Sequence, residues 1–359
     1  MIPLFTRLNP NDPTTREGNP GDYFICLGVQ HLISKVLGGE PQWLMLSKFS
    51  PENAMSMMEY VKETGFLVYA GMPQYNRFGD WCFWYDDGLW RDMLLPNNIK
   101  TICLAGGAGY PSTDIHPEAF AELCVNDPKS IEVMELRKQT GVLFTARDPY
   151  AHAFLKAFGI KGHLLPCSAI FAGHRMRSRP VKSDMTLVVP PNPRSLCFGE
   201  ENRDERIIAW TRKICSRLIE TGRHPVVLCN CGYEWDLLRK HTDLDVRYSN
   251  NYLWQLRMYE QCTEMIGARI HAVLPTYGMG QARCVGVSVD TRGSAVGMLP
   301  KTPVFSFYDV EEDPGILVDA LEQAEPCAPG WLAEIEQTYV ALIKNALAEV
   351  GGLEPQACS

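Results

Sequence analysis

Short apolar runs and longer amphipathic stretches alternate along almost the whole chain, a rhythm that leaves few folds open. In the first half "QWLMLSK", "FLVYAGM", "IKTICLAGG", "VLFTARD" and "KGHLLPC" read as strands. Between them lie helical stretches such as "SPENAMSMMEYVKETG", with Ser50 as N-cap, Pro51 at the first helical position and Gly65 as terminator. "PKSIEVMELRKQTG" and "PYAHAFLKAFG" are two more. The second half repeats the pattern, from the helix "RDERIIAWTRKICSRLIETG" and the strand "HPVVLCN" to the strands "TEMIG", "ARCVGVSVD" and "TPVFSF". Such alternation predicts mostly parallel sheets with helices on both faces.

At 359 residues the chain exceeds the usual size of one hydrophobic core. Ala172 to Arg194, with four prolines and several basic residues around one short strand, interrupts the rhythm and reads as a domain boundary. The expectation is two doubly wound, Rossmann-like α/β domains, residues 1–175 and 176–330, facing each other across a cleft. Residues 331–359 then form a terminal helix and tail, amphipathic enough to pack back on either domain. Open sheets of this kind bind ligands beyond the carboxyl ends of their strands.

A formal net charge of −8 argues against general binding to nucleic acid or anionic membranes, while leaving room for a local basic pocket. No apolar run approaches the ~20 residues that span a bilayer. The N-terminal segment lacks the order of a signal peptide. The expected location is the cytoplasm, with peripheral membrane contact left open. Thirteen cysteines, scattered through apolar segments, read as reduced core thiols. Cys229 and Cys231 lie two apart on a strand without a second pair at zinc spacing, and no metal site is expected.

Four short segments carry the chemistry. Asn19, Pro20, Gly21 and Asp22 form a turn in which Asp22 can cap the following helix; its orphan amides could hold a polar ligand, though alone the turn reads as a cap. Gly106 and Gly107 follow a buried strand, where absent side chains let a phosphate or sugar approach the backbone. The spacing fits neither a P-loop nor the dinucleotide fingerprint, and tight turns use glycine equally often. Arg147 and Asp148 end another strand, so Arg147 points into the cleft or pairs with an acid. In "GARIHAVLPTYG", Arg269 and His271 stand where a strand turns into a helix. Cations are unfavourable at a helix N-terminus, so an acidic side chain or an anionic ligand must compensate them. Trp81, Trp84, Tyr85 and Trp90, at near-helical spacing, read as core, with a sugar platform or a hydrophobic contact surface as the other reading.

In this order the segments resemble the polysaccharide pyruvyl transferase family: Asn19-Pro20-Gly21-Asp22, Gly106-Gly107, Arg147-Asp148 and Arg269-Ile270-His271-Ala272, from about residue 18 to about residue 310. The resemblance implies a GT-B-like fold, with the acceptor on the N-terminal domain and the donor on the C-terminal one. It implies transfer of a pyruvyl group from phosphoenolpyruvate to two hydroxyls of a sugar-containing acceptor, forming a ketal without a cofactor. Arg269, Ile270 and Arg147 would bind substrate, as would Asn19, Gly21, Gly106 and Gly107, while His271 would act on the leaving phosphate and Asp22 as base. Ile270 replaces the family's Leu, and the Gly-x-Pro expected before the next strand is missing. Arg283 or Arg292 would then supply the further donor contact, with Arg292 the choice. A GT-B glycosyltransferase using a nucleotide sugar is the other enzymatic reading. A noncatalytic member that only binds an anion or carbohydrate is the third.

Overall fold

The computed structural model describes residues 1–6, 20–47, 51–71, 73–78, 88–175, 183–192 and 202–351. Within them, apolar runs too short for helices form two wholly parallel sheets. The first contains β1 (Ile2–Thr6), β2 (Trp43–Ser47), β3 (Phe66–Ala70), β4 (Pro73–Tyr75), β5 (Lys100–Ala108), β6 (Gly141–Ala146) and β7 (Gly162–Leu164). Its order is β2-β1-β3-β5-β6-β7, with β4 paired to β5 off this path. The second contains β8 (Met185–Val189), β9 (His224–Cys229), β10 (Val246–Tyr248), β11 (Glu264–Gly267), β12 (Arg283–Ser288) and β13 (Val304–Ser306), in the order β10-β9-β8-β11-β12-β13. Helices cover both faces, so β1, β3 and β8 are buried at every position and read as continuous apolar runs rather than alternating ones.

In the second sheet β9 and β10 lie on one side of β8, and β11 to β13 on the other. The chain therefore reverses direction between β8 and β11. That opens a crevice at their carboxyl ends, where Arg269 follows β11. The expected pair of doubly wound sheets facing a cleft is what the chain forms.

Several elements were not anticipated. β1 has only five residues, one of them Pro3, yet it occupies the position between β2 and β3. The helices Pro117–Val125 and Gly315–Gln323 are each too short to show a clear period. Ser50 lies outside the described residues, as do Trp81, Trp84 and Tyr85; the helix after Ser50 spans Pro51–Thr64. Trp90 is fully buried against Tyr69, with ring centroids 5.1 Å apart.

The two lobes share one continuous apolar cluster, which includes Phe24 and Val29 from the first lobe and Tyr259 and Leu274 from the second. Tyr23 and Tyr252 stack across the junction at 4.2 Å between centroids. The 3-10 turn Ser168–Arg175 is held between the helices Pro20–Leu37 and Ile270–Gly278. A Cβ at Gly28 would strike the Ser168 carbonyl, and one at Gly278 the Ile170 carbonyl, so glycine permits both approaches. The C-terminal helix, Pro329–Glu349, returns to the first lobe, where the buried Tyr339 hydroxyl donates to the Pro166 carbonyl at 2.8 Å. Among the described residues, no helix is long and apolar enough to cross a membrane.

Candidate functional site

The carboxyl ends of both sheets meet at a pocket open to solvent. Gly21 and Asp22 reach it from the first turn of the helix Pro20–Leu37, Arg147 from the end of β6, and Arg269, Ile270 and His271 from the turn after β11. Arg292 arrives from the 3-10 turn Thr291–Met298 after β12. All seven were singled out from sequence. Asn19 lies outside the described residues.

Contact between the lobes is direct at Gly21, where a Cβ would overlap the His271 imidazole at Nδ1. On its other side, His271 Nε2 lies 3.3 Å from Arg147 Nη1. Since a guanidinium only donates, Nε2 is the acceptor and Nδ1 carries the proton of the neutral ring. Burial, and after it the charges of Arg147, Arg292 and Arg269, hold the His271 pKa well below the ordinary 6.5. His271 is therefore neutral at pH 7 while the pocket is empty of anions.

The three arginines differ in how their charge is met. Arg269 pairs with Glu234, a buried carboxylate in the first turn of the helix Gly232–His241 that also accepts from the Asn230 amide at 2.7 Å. Glu234 is thus the acid that the position of Arg269 requires. Burial still pushes the Arg269 pKa down to about 10. Arg292 is paired with Asp290, whose Oδ1 lies 2.9 Å from its Nε and whose charge raises its pKa. Arg147, 1% exposed, has no carboxylate at ion-pairing distance among the described residues, and its Nε has no partner. An unpaired buried cation is costly, so Arg147 is the group here most in need of an anion.

Asp148 does not pair with Arg147. Its Oδ1 caps the helix Pro149–Ala157 by accepting from Ala151 N at 2.7 Å, and its Oδ2 accepts from Ala108 N at 3.1 Å. Burial raises its pKa to about 6 in spite of these bonds.

Three expectations need correction. Gly106 and Gly107 do not line the pocket: a Cβ at Gly106 would overlap the Tyr75 ring and one at Gly107 the Arg147 guanidinium. The space freed by the glycines is filled by side chains. Asp22 is not the helix cap, because the helix already begins at Pro20. Arg283 sits at the opposite end of its strand, paired with Glu264 and Glu322, and is remote from the pocket. Sequence reading also missed Glu234, Asp290, Asn230 and Asn192. Of these only Asp290, two residues before Arg292, left a local signal.

Cys231 is the N-cap of the helix Gly232–His241, beyond the strand on which it was placed. No disulfide joins any two of the ten cysteines among the described residues, and all but Cys231 are buried.

No family model matches the chain, and no curated protein does. Solved structures do. A UDP-GlcNAc 2-epimerase from Neisseria meningitidis bound to UDP-GlcNAc is 10% identical, with 96% of this chain and 99% of that one covered and a TM-score of 0.53. A putative UDP-N-acetylglucosamine 2-epimerase from Listeria monocytogenes is also 10% identical, covers 97% of both chains and has a TM-score of 0.52. At such identity the likeness is one of fold: two Rossmann-like lobes in the GT-B arrangement.

Proposed function

We propose that the cleft binds a phosphorylated donor between its lobes and transfers part of it in sugar chemistry. The observation that carries this is Arg147, buried and without a carboxylate partner among the described residues, facing a pocket that also holds His271, Arg269 and Arg292. Guanidinium forks match phosphate and carboxylate oxygens.

Two donors suit the site. A nucleotide sugar, whose diphosphate would lie along the arginines, is favoured by the likeness in fold to proteins bound to UDP-GlcNAc and UDP. Phosphoenolpyruvate is favoured by the cations gathered in the pocket, whose lining among the described residues has no Phe, Tyr or Trp to stack a base. The four segments resembling pyruvyl transferases contribute most of these residues or support them.

In the second reading one acceptor hydroxyl adds to the enol carbon while a proton is added to the methylene. Phosphate then leaves with the electrons of its C–O bond, and the second hydroxyl closes the ketal. Arg147 and Arg292 would hold the phosphate and carboxylate, and Asp22 would take a hydroxyl proton. His271, neutral at rest, would gain its proton only when the donor's negative charge enters beside it.

The test is thermal unfolding of wild type and Arg147→Lys with phosphoenolpyruvate, inorganic phosphate and UDP-sugars, because a ligand of the folded state raises Tm. Lysine keeps the charge but loses the fork, and affinity should fall about 10-fold to 100-fold, from the ~1.5–3 kcal/mol of charged hydrogen bonds. Stabilisation by phosphoenolpyruvate alone selects pyruvyl transfer, and stabilisation by UDP-sugars alone selects the nucleotide donor. No response to any anion would refute the proposal.

A further inference from the structure

Away from the cleft, three elements bring three metal-ligating side chains together. His31 comes from the helix Pro20–Leu37, His174 from the turn Ser168–Arg175, and Glu336 from the helix Pro329–Glu349. One ligand atom from each lies within 4.8 Å of the others, and none of the three lines the pocket. His31 Nε2 pairs with Glu336 Oε1. The imidazoles of His31 and His174 stack with centroids 4.5 Å apart and planes 10° from parallel.

A helix-to-helix hydrogen bond explains His31 and Glu336 but not His174. That ring makes no hydrogen bond among the described residues, yet it is laid on another imidazole. Two imidazoles and one carboxylate are a donor set that zinc takes, with a fourth position left to water.

We propose that His31, His174 and Glu336 form a binding site for one divalent ion of the zinc class. Bonds of ~2.0–2.1 Å place tetrahedral donors about 3.4 Å apart, so His174 has to move in while the hydrogen-bonded His31 and Glu336, which lie closer than that, part to admit the ion. His174 is exposed and near the end of its turn, so its ring can turn toward the ion. Lys35, whose Nζ lies 3.7 Å from Glu336 Oε2, is 54% exposed and can swing into solvent as the cation enters. The ion would join the first-lobe helix, the turn between the lobes and the returning C-terminal helix. Sequence spacing gives no hint of the site, because its members lie on distant segments.

The experiment uses full-length protein stripped with a chelator and kept reduced, as wild type, His174→Ala and Glu336→Gln, titrated with Zn²⁺ and Co²⁺. Wild type should bind one ion per chain, show tetrahedral Co²⁺ absorption without a thiolate charge-transfer band, and gain Tm as Zn²⁺ rises. Both variants should keep the metal-free Tm within a few degrees and lose the Zn²⁺ response. The proposal is overturned by equal Zn²⁺ binding in His174→Ala, by a thiolate band that assigns the ion to cysteines, or by no Zn²⁺ response in wild type.

Discussion

Gly21 sets how closely the first lobe approaches His271, because any Cβ there would occupy the space of the imidazole. Gly21→Ala should displace that ring, costing about 1–3 kcal/mol if the lobes stay closed, or holding them apart if they do not. Donor-induced stabilisation should shrink at least tenfold in affinity terms. Unchanged ligand binding in this variant would show that the contact is incidental. Gly21, Asp22, Arg147, Arg269, Ile270, His271 and Arg292 were visible in sequence because each adjoins a strand end or helix start, where open sheets place ligands. Glu234 and Asn230 were not. They lie at another strand end, and nothing in one sequence tells which strand ends become neighbours across a sheet.

At the scale of elements, Asp148 joins two pieces of the first lobe: it starts the helix Pro149–Ala157 and holds the last amide of β5. Replacing it with alanine leaves both donors without their acceptor in a buried place. Asp148→Ala should lose about 1–3 kcal/mol of stability in urea unfolding, with Asp148→Asn losing less. Equal stability of Asp148→Ala and wild type would contradict this role. The strand-helix alternation was legible wherever a segment was long enough to show its period, as at Arg203–Glu220 and Pro128–Thr140. It failed for β1 and for Pro117–Val125, where five or nine residues cannot establish one. The 3-10 turn Ser168–Arg175 was likewise hidden, since its conformation follows from being gripped between two helices.

For the whole molecule, the low pKa of His271 makes stability depend on pH. Below its ordinary 6.5 the unfolded chain takes up a proton that the folded protein refuses, so stability is lost as pH falls through that value. Asp148 acts with the opposite sign at lower pH: its folded pKa of about 6 means that stability falls as pH rises from the unfolded value, 3.8, toward 6. Between about pH 6 and 7 His271 shares the slope with His163 and His174, whose pKa values are also lowered. A bound anion raises the His271 pKa, so the Tm gain from the donor should be larger near pH 6 than near pH 8, and His271→Gln should reduce that difference. An identical pH dependence in wild type and variant would remove His271 from the anion site. Sequence rhythm revealed two lobes but not that the last helix belongs to the first of them, because an amphipathic face does not name its partner. That return has a consequence for synthesis. Tyr339, Ile343 and Leu347 leave the ribosome after every strand of the second lobe, yet they complete the packing of the first. The lobe that is made first is finished last, and until then the surface awaiting that helix must be kept from other nascent chains.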